Sequence, residues 1–547
     1  MRLFFIPVFV LLCLFNSSKL MHIYAQNKIF QSGVVEYVQG LRTDKNNINL
    51  LVNNRGKSYM PFTQSGGFWQ IPGEQFSRGI IFDQAPWIIG KRNGEIILSG
   101  GQWLSAYSPG PIINGQAAML IHPEDSLRYR VYKINKGDNN TNPDYAEWPV
   151  EFGAPVNNQG QPLVLGDQTL WTCYNYLDSN LTYPFNPFNK INPIEIEIHQ
   201  TVFLKEGSQT DYEDIFSNVI FIEYEIIYKG NDPIDSAYFG FWTDIDFEPP
   251  FENRPAVDVQ LNLGYCWTGE DTLFNGAIPL SVGYTLLYGP VKPAVGNTAI
   301  FKGRNLADYQ NIELSSFHGI GYDSFNDSSF TYIQSMIDAW NYARGLNKNG
   351  NNYIDPTNNQ QTNFPLSGDP VTNSGWIFQD NSTAGEAGVM LFAGPFNFAQ
   401  NDTQWTMLAL VPGLGNSNLN SISAMREKVE ILRSLAYDSL AFGSTSYAIT
   451  DIKSEENLTP EHYSLNQNYP NPFNPSTKIS WQSPVNGHQK LKIYDVLGNE
   501  VATLVNEFRN AGSYETEFNA TSLSSGVYFY QLKAGDFVET KKMILMK

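Results

Sequence analysis

The chain of 547 residues is poor in cysteine, in basic side chains, in histidine and in long apolar runs. Its three cysteines, Cys13, Cys173 and Cys266, are too few for a disulfide scaffold. With 35 Lys and Arg against 54 Asp and Glu, the net charge of −19 excludes general nucleic-acid binding, because phosphate contacts need a basic face. One apolar run, Leu3 to Phe15, follows Arg2 and stops at Asn16-Ser17-Ser18. It is too short to span a hydrocarbon core of ~30 Å. With Ala25 as a small residue before Gln26 it reads as a signal peptide over residues 1–25. Leu12 before Cys13 argues against a lipid anchor there. No later window holds ~18 uninterrupted apolar residues, so no transmembrane helix is expected in the mature chain.

Catalytic motifs are also missing. There is no His-Glu-x-x-His, no Gly-x-Ser-x-Gly, no phosphate-binding glycine loop and no Cys-x-x-Cys. A metalloprotease, lipase-like hydrolase or nucleotide enzyme would need variants of those signatures. Residues 26–450 contain three histidines, His122, His199 and His318, of which His199 and His318 read as structural. Cys173 and Cys266 stand either as one disulfide of an exported protein or as two separate buried thiols.

What the chain has is 42 % hydrophobic and 14 % aromatic residues with 44 Gly and 31 Pro, a mixture that favours short strands joined by turns. Ile194 to Phe203 alternates apolar and polar residues as a half-buried strand does. Asn218 to Tyr228 and Ala237 to Trp242 read as strands around a turn at Lys229–Pro233. Two helices are expected, Ser328 to about Leu346 and Ser421 to about Ala436, each with an apolar stripe packing on a sheet. The expected fold is mainly β: a large β-sandwich-like passenger with two or so helices over 26–450, a polar linker at 451–462, and a small C-terminal immunoglobulin-like sandwich at 463–547.

The last segment carries the clearest text. An extended lead-in, Gln467-Asn468-Tyr469-Pro470-Asn471-Pro472-Phe473, precedes six short β-patterned runs separated by turns such as Leu497-Gly498-Asn499 and Ser524-Ser525-Gly526. Together with Ile493-Tyr-Asp-Val-Leu-Gly498, Leu523-Ser-Ser-Gly-Val-Tyr-Phe529 and the closing Lys541-Lys542-Met-Ile-Leu-Met-Lys547, it resembles the type A C-terminal sorting domain of the type IX secretion system. That resemblance implies recognition by the type IX machinery, passage across the outer membrane, and surface attachment or release. Asn468, Tyr469, Pro470, Asn471, Pro472, Phe473, Gly498, Gly526, Lys541, Lys542 and Lys547 are the positions that carry it.

The passenger resembles a group of large, uncharacterised secreted bacterial proteins. Shared phrases are Trp148-Pro-Val150, Gly153-Ala-Pro155, Gly166-Asp-Gln-Thr-Leu-Trp171, Trp242-Thr-Asp-Ile-Asp246, Leu263-Gly-Tyr-Cys266 and Ser367-Gly-Asp-Pro-Val371. No activity comes with that resemblance. Removing the basic leader and the near-neutral sorting segment leaves −22 on residues 26–462, a charge suited to divalent cations and solubility.

Two segments have the oxygen-rich composition that calcium needs. Asp244, Asp246, Glu252, Asn253 and Asp258 read either as Ca2+ ligands or as an acidic strand-end loop. Asn347 to Asp355 imitates an EF-hand loop, but it has Gly350 at the fourth position and too few charges, so an Asn/Gly turn is expected. The favoured function is a non-enzymatic structural, adhesive or glycan-binding surface protein, with Trp69, Trp87, Trp103 and Trp148 offered to sugars or matrix. The alternative is a secreted polysaccharide hydrolase using two carboxylates.

Overall fold

The computed structural model describes residues 27–31, 34–58, 66–101, 107–179, 193–208, 214–246, 253–269, 277–321, 333, 335–378, 387–443, 463–468, 470–509, 512–535 and 537–547. The signal peptide, the linker, Trp103, Glu252 and Tyr469 lie outside them. The chain divides into two compact units, residues 1–450 and 451–547.

The first unit is mainly antiparallel β. A nine-stranded sheet runs, in spatial order, through Tyr132–Asn135, Gln168–Tyr176, Ile194–Leu204, Ile220–Tyr228, Thr403–Gly413, Ser281–Tyr288, Leu263–Thr268 and Asn253–Asp258, with Ser108–Pro109 paired beside Gln168–Tyr176. A five-stranded sheet runs Ser316–Gly321, Ala387–Phe398, Ile234–Ile245, Asp83–Arg92 and Glu95–Ser99. The two sheets share one core. Ile198, Val202, Ile222, Tyr224, Leu408 and Leu410 of the wide sheet meet Ile88, Phe239, Phe241 and Leu391 of the narrow one. Phe241 and Tyr284 approach to 4.7 Å between ring centroids across this layer. Burial of so many large apolar side chains, each contributing about 1.5–3 kcal/mol, drives the pairing.

Both sheets are also covered on the far side. Helix Met336–Ala343, capped by Ser335, seals Trp87, Trp242, Met390 and Phe392. Trp340 packs there against Tyr238, whereas Ile337 is exposed. This helix is shorter than the apolar spacing suggests; residues 328–332 lie outside the described ones. Helix Asn418–Ser434, capped by Ser417, buries Ile422, Met425, Val429 and Leu432 and packs on Ser281–Tyr288 and Thr403–Gly413. Arg426 pins it at the side, pairing with Asp258 at 3.1 Å and Asp369 at 2.6 Å.

This covering corrects one expectation. The strand Ile194–Leu204 is not half-buried: past Glu195, its alternating polar side chains Glu197, His199 and Thr201 are enclosed as well. Alternation does mark two faces, but the second face meets protein rather than water.

The second unit is a seven-stranded sandwich. Ser464–Leu465, Ser476–Ser483 and Gly512–Asn519 form one sheet; Glu500–Arg509, Gly487–Tyr494, Gly526–Ala534 and Phe537–Leu545 form the other. Ile479, Trp481, Leu491, Ile493, Phe518, Tyr530, Leu532 and Met543 fill the space between.

Candidate functional site

In the second unit the Pro-rich lead-in is a strap sewn to the terminal strand. Asn471 Oδ1 accepts from Ile544 N at 2.8 Å, Phe473 N donates to Ile544 O at 3.0 Å, and Met546 N donates to Phe473 O at 3.0 Å. Asn468 N donates to the Tyr530 hydroxyl at 2.8 Å, and its amide reaches Thr477 Oγ1 at 2.9 Å. Proline cannot supply ladder donors, so side chains and the Phe473 backbone do this work. Phe473 itself enters the core beside Phe518. Gly498 has φ +82° at a turn closed by Asp495, and Gly526 opens a strand. Lys541 pairs with Glu539 at 3.4 Å, Lys542 is exposed, and Lys547 Nζ donates to Thr521 O at 2.6 Å.

In the passenger, strand register assembles a polar row that the sequence does not announce. Cys173, His199 and Glu225 stand opposite one another on three adjacent strands. Glu197 lies two residues from His199 on the same face. His199 Nε2 is 2.9 Å from Glu197 Oε1, and Nδ1 is 3.4 Å from Glu225 Oε2. Lys229 holds Glu197 at 2.6 Å and Lys302 holds Glu225 at 2.6 Å. The cover includes Gly153, where a Cβ would lie 2.3 Å from His199 Cε1.

Burial alone would discharge this row, but for Glu225 and His199 their partners prevent that. Burial raises Glu225, yet Lys302 and His199 bring it down to about 2. Burial lowers His199, yet its neighbours outweigh this and hold it well above the ordinary histidine value. Cys173 is pushed up to about 11, chiefly by burial, so it is a neutral thiol. A raised, enclosed thiol is a poor nucleophile. Cys173, Glu197 and His199 offer ligand atoms within 4.8 Å of one another. However, both ring nitrogens face carboxylates and each carboxylate holds a lysine, so the residues fit an ion-pair network better than a metal.

Cys266 is likewise free and buried, so the two-thiol alternative describes the structure. His318 stacks on Tyr342 at 3.6 Å, while His122 is at the surface beside Glu124.

The acidic set does not converge as a whole. Asp244 and Asp246 lie at the end of strand Ile234–Ile245, and Asn253 donates to Ile245 O at 2.8 Å. Asp258 sits at the other end of strand Asn253–Asp258, about 16 Å away at strand rise, where Arg426 takes it. The Asn347 segment is the expected turn: Asn347 Oδ1 accepts from Asn349 N at 3.0 Å and Asn351 N at 3.1 Å. The tryptophans offered to sugars need correction. Trp69, Trp87 and Trp148 are buried, the first two completely, because the covering layers use them as core.

Register and layer contacts, rather than any local motif, place these groups. The one local hint was Glu197-Ile198-His199, a charged pair at strand spacing inside an apolar run.

Comparison with known proteins bears on the two units differently. No curated relative matches the chain. Among solved structures, a polysaccharide lyase is similar at 7 % identity and a TM-score of 0.24, covering 93 % of this chain and 46 % of its own. Dimeric latent PorU from Porphyromonas gingivalis is similar at 12 % identity and a TM-score of 0.14, covering 72 % of this chain and 33 % of its own. The chain thus spans less than half the length of either, and TM-scores this low carry no fold assignment. The family profile described as the secretion system C-terminal sorting domain matches residues 467–546. The C-terminal unit is therefore a type IX secretion sorting domain, and the protein that carries it is exported to the cell surface or released.

Proposed function

We propose that the passenger is a non-enzymatic structural or adhesive protein of the cell surface, delivered by the type IX machinery. The observation that supports this is how its reactive side chains are used. His199, Glu197, Glu225, Lys229 and Lys302 are bound to one another on the wide sheet, and Arg426, Asp258 and Asp369 to one another at its edge. Chemistry of that kind stiffens a scaffold. Burial of Trp69, Trp87 and Trp148 favours coat formation or protein adhesion over sugar stacking.

Calcium enters this reading only through Asp246 and Asn253. Asn253 Oδ1 is buried with no hydrogen-bond partner among the described residues, an oxygen available to a cation. A rise in melting temperature with millimolar Ca2+, abolished by Asp246→Ala, is the expected sign; an unchanged melting temperature withdraws it.

The role itself is tested by incubating purified full-length protein with a polysaccharide panel, then following binding on a glycan array and product release by chromatography. No turnover of any polysaccharide is expected. Release of shortened chains would replace this reading by the carboxylate hydrolase.

A further inference from the structure

On the outer face of the five-stranded sheet, Lys57 and Asp83 meet with side-chain exposures of 1 % and 0 %. Lys57 Nζ is 3.1 Å from Asp83 Oδ2 and donates to Gly101 O at 2.8 Å. The ammonium end lies 4.7 Å from the Trp242 ring centroid. Asp244, also buried, stands directly opposite Asp83 in the strand pairing, two residues from Trp242 on the same face. Asp83 Oδ1, the oxygen that Lys57 does not hold, accepts two backbone N–H groups, from Gln84 at 2.8 Å and Ser58 at 3.1 Å.

We propose that Lys57 and Asp83 condense into an intramolecular isopeptide bond, tying the turn after strand Ile48–Asn53 to strand Asp83–Arg92. This is independent of what the passenger binds. Three features support it. A dry ion pair gains little over neutral partners, and burial here pushes Lys57 down and Asp83 up, toward amine and carboxylic acid. The two backbone donors on Oδ1 are placed as an oxyanion hole is, waiting for charge on that oxygen. The pair is already held in contact, which removes the entropic part of the barrier.

The reaction balances without a co-reactant. Nζ, as the free amine, adds to Cγ of the protonated carboxyl and forms the C–N bond. Charge gathers on Oδ1 under the two amides. A proton passes from Nζ to Oδ2 with Asp244 as relay, the Cγ–Oδ2 bond breaks, and one water leaves. Nothing is oxidised or reduced.

The test is proteolytic peptide mapping of the folded full-length chain by mass spectrometry. A branched peptide joining the Lys57 and Asp83 fragments, lighter than their sum by one water, is expected. Asp83→Asn should give the same branch with loss of ammonia instead. Asp244→Asn keeps both reacting groups and should slow the appearance of the branch after refolding by about a hundredfold. Recovery of the two fragments unlinked from folded wild-type protein overturns the bond. Unchanged kinetics in Asp244→Asn overturns the relay.

Discussion

His199 is an imidazole between two carboxylates, Glu197 and Glu225, with a glycine against its ring. Gly153 has φ +90°, a region that side chains avoid, and there is no room for a methyl group. Gly153→Ala should therefore destabilise the passenger by about 3 kcal/mol, combining backbone strain and overpacking; thermal melting measures it. The same residues set a pH dependence. The folded value of Glu225 lies near 2 against an ordinary 4.5, so its contribution is complete above 4.5 and is lost as pH falls toward 2. For His199 the shift is upward, so its contribution is complete below the ordinary 6.5 and is lost as pH rises through the raised value. Melting temperature against pH should fall on both sides of a plateau. His199→Gln should flatten the alkaline limb.

Among the elements, the strap residues Asn468 and 470–473 show how a proline-rich segment is held without a ladder of its own. Its contacts run to Ile544, Tyr530 and Thr477, and Phe473 anchors it in the core. Phe473→Ala removes that anchor and should cost about 3–5 kcal/mol, read as a lower melting temperature of the C-terminal unit. Secretion should fall with it, since a loosened strap exposes the terminal strand to proteolysis. The helices were legible because their apolar stripes are local, but their starts were not: the caps are Ser335 and Ser417, whereas the spacing pointed to Ser328 and Ser421. Strand identity was legible for the same reason, through alternation and turn residues. That Glu197, His199 and Thr201 are enclosed was not, because the segment around Gly153 that covers His199 comes from distant sequence.

For the whole molecule, the address and the cargo separate. Deleting residues 463–547 removes the sorting domain and should leave the passenger in the periplasm; surface labelling and cell fractionation decide it. A passenger that still reached the surface would show that export does not depend on this domain.

By itself the sequence determined the mainly β character, the C-terminal sorting domain and hence the export route, because alternation, turns and a contiguous motif are written in neighbouring residues. Only the tertiary structure decided which groups meet. Cys173, His199 and Glu225 come from three strands, and Lys57, Asp83 and Asp244 from three separate segments. Their encounters depend on strand register, where a slip of one residue would turn every side chain to the opposite face.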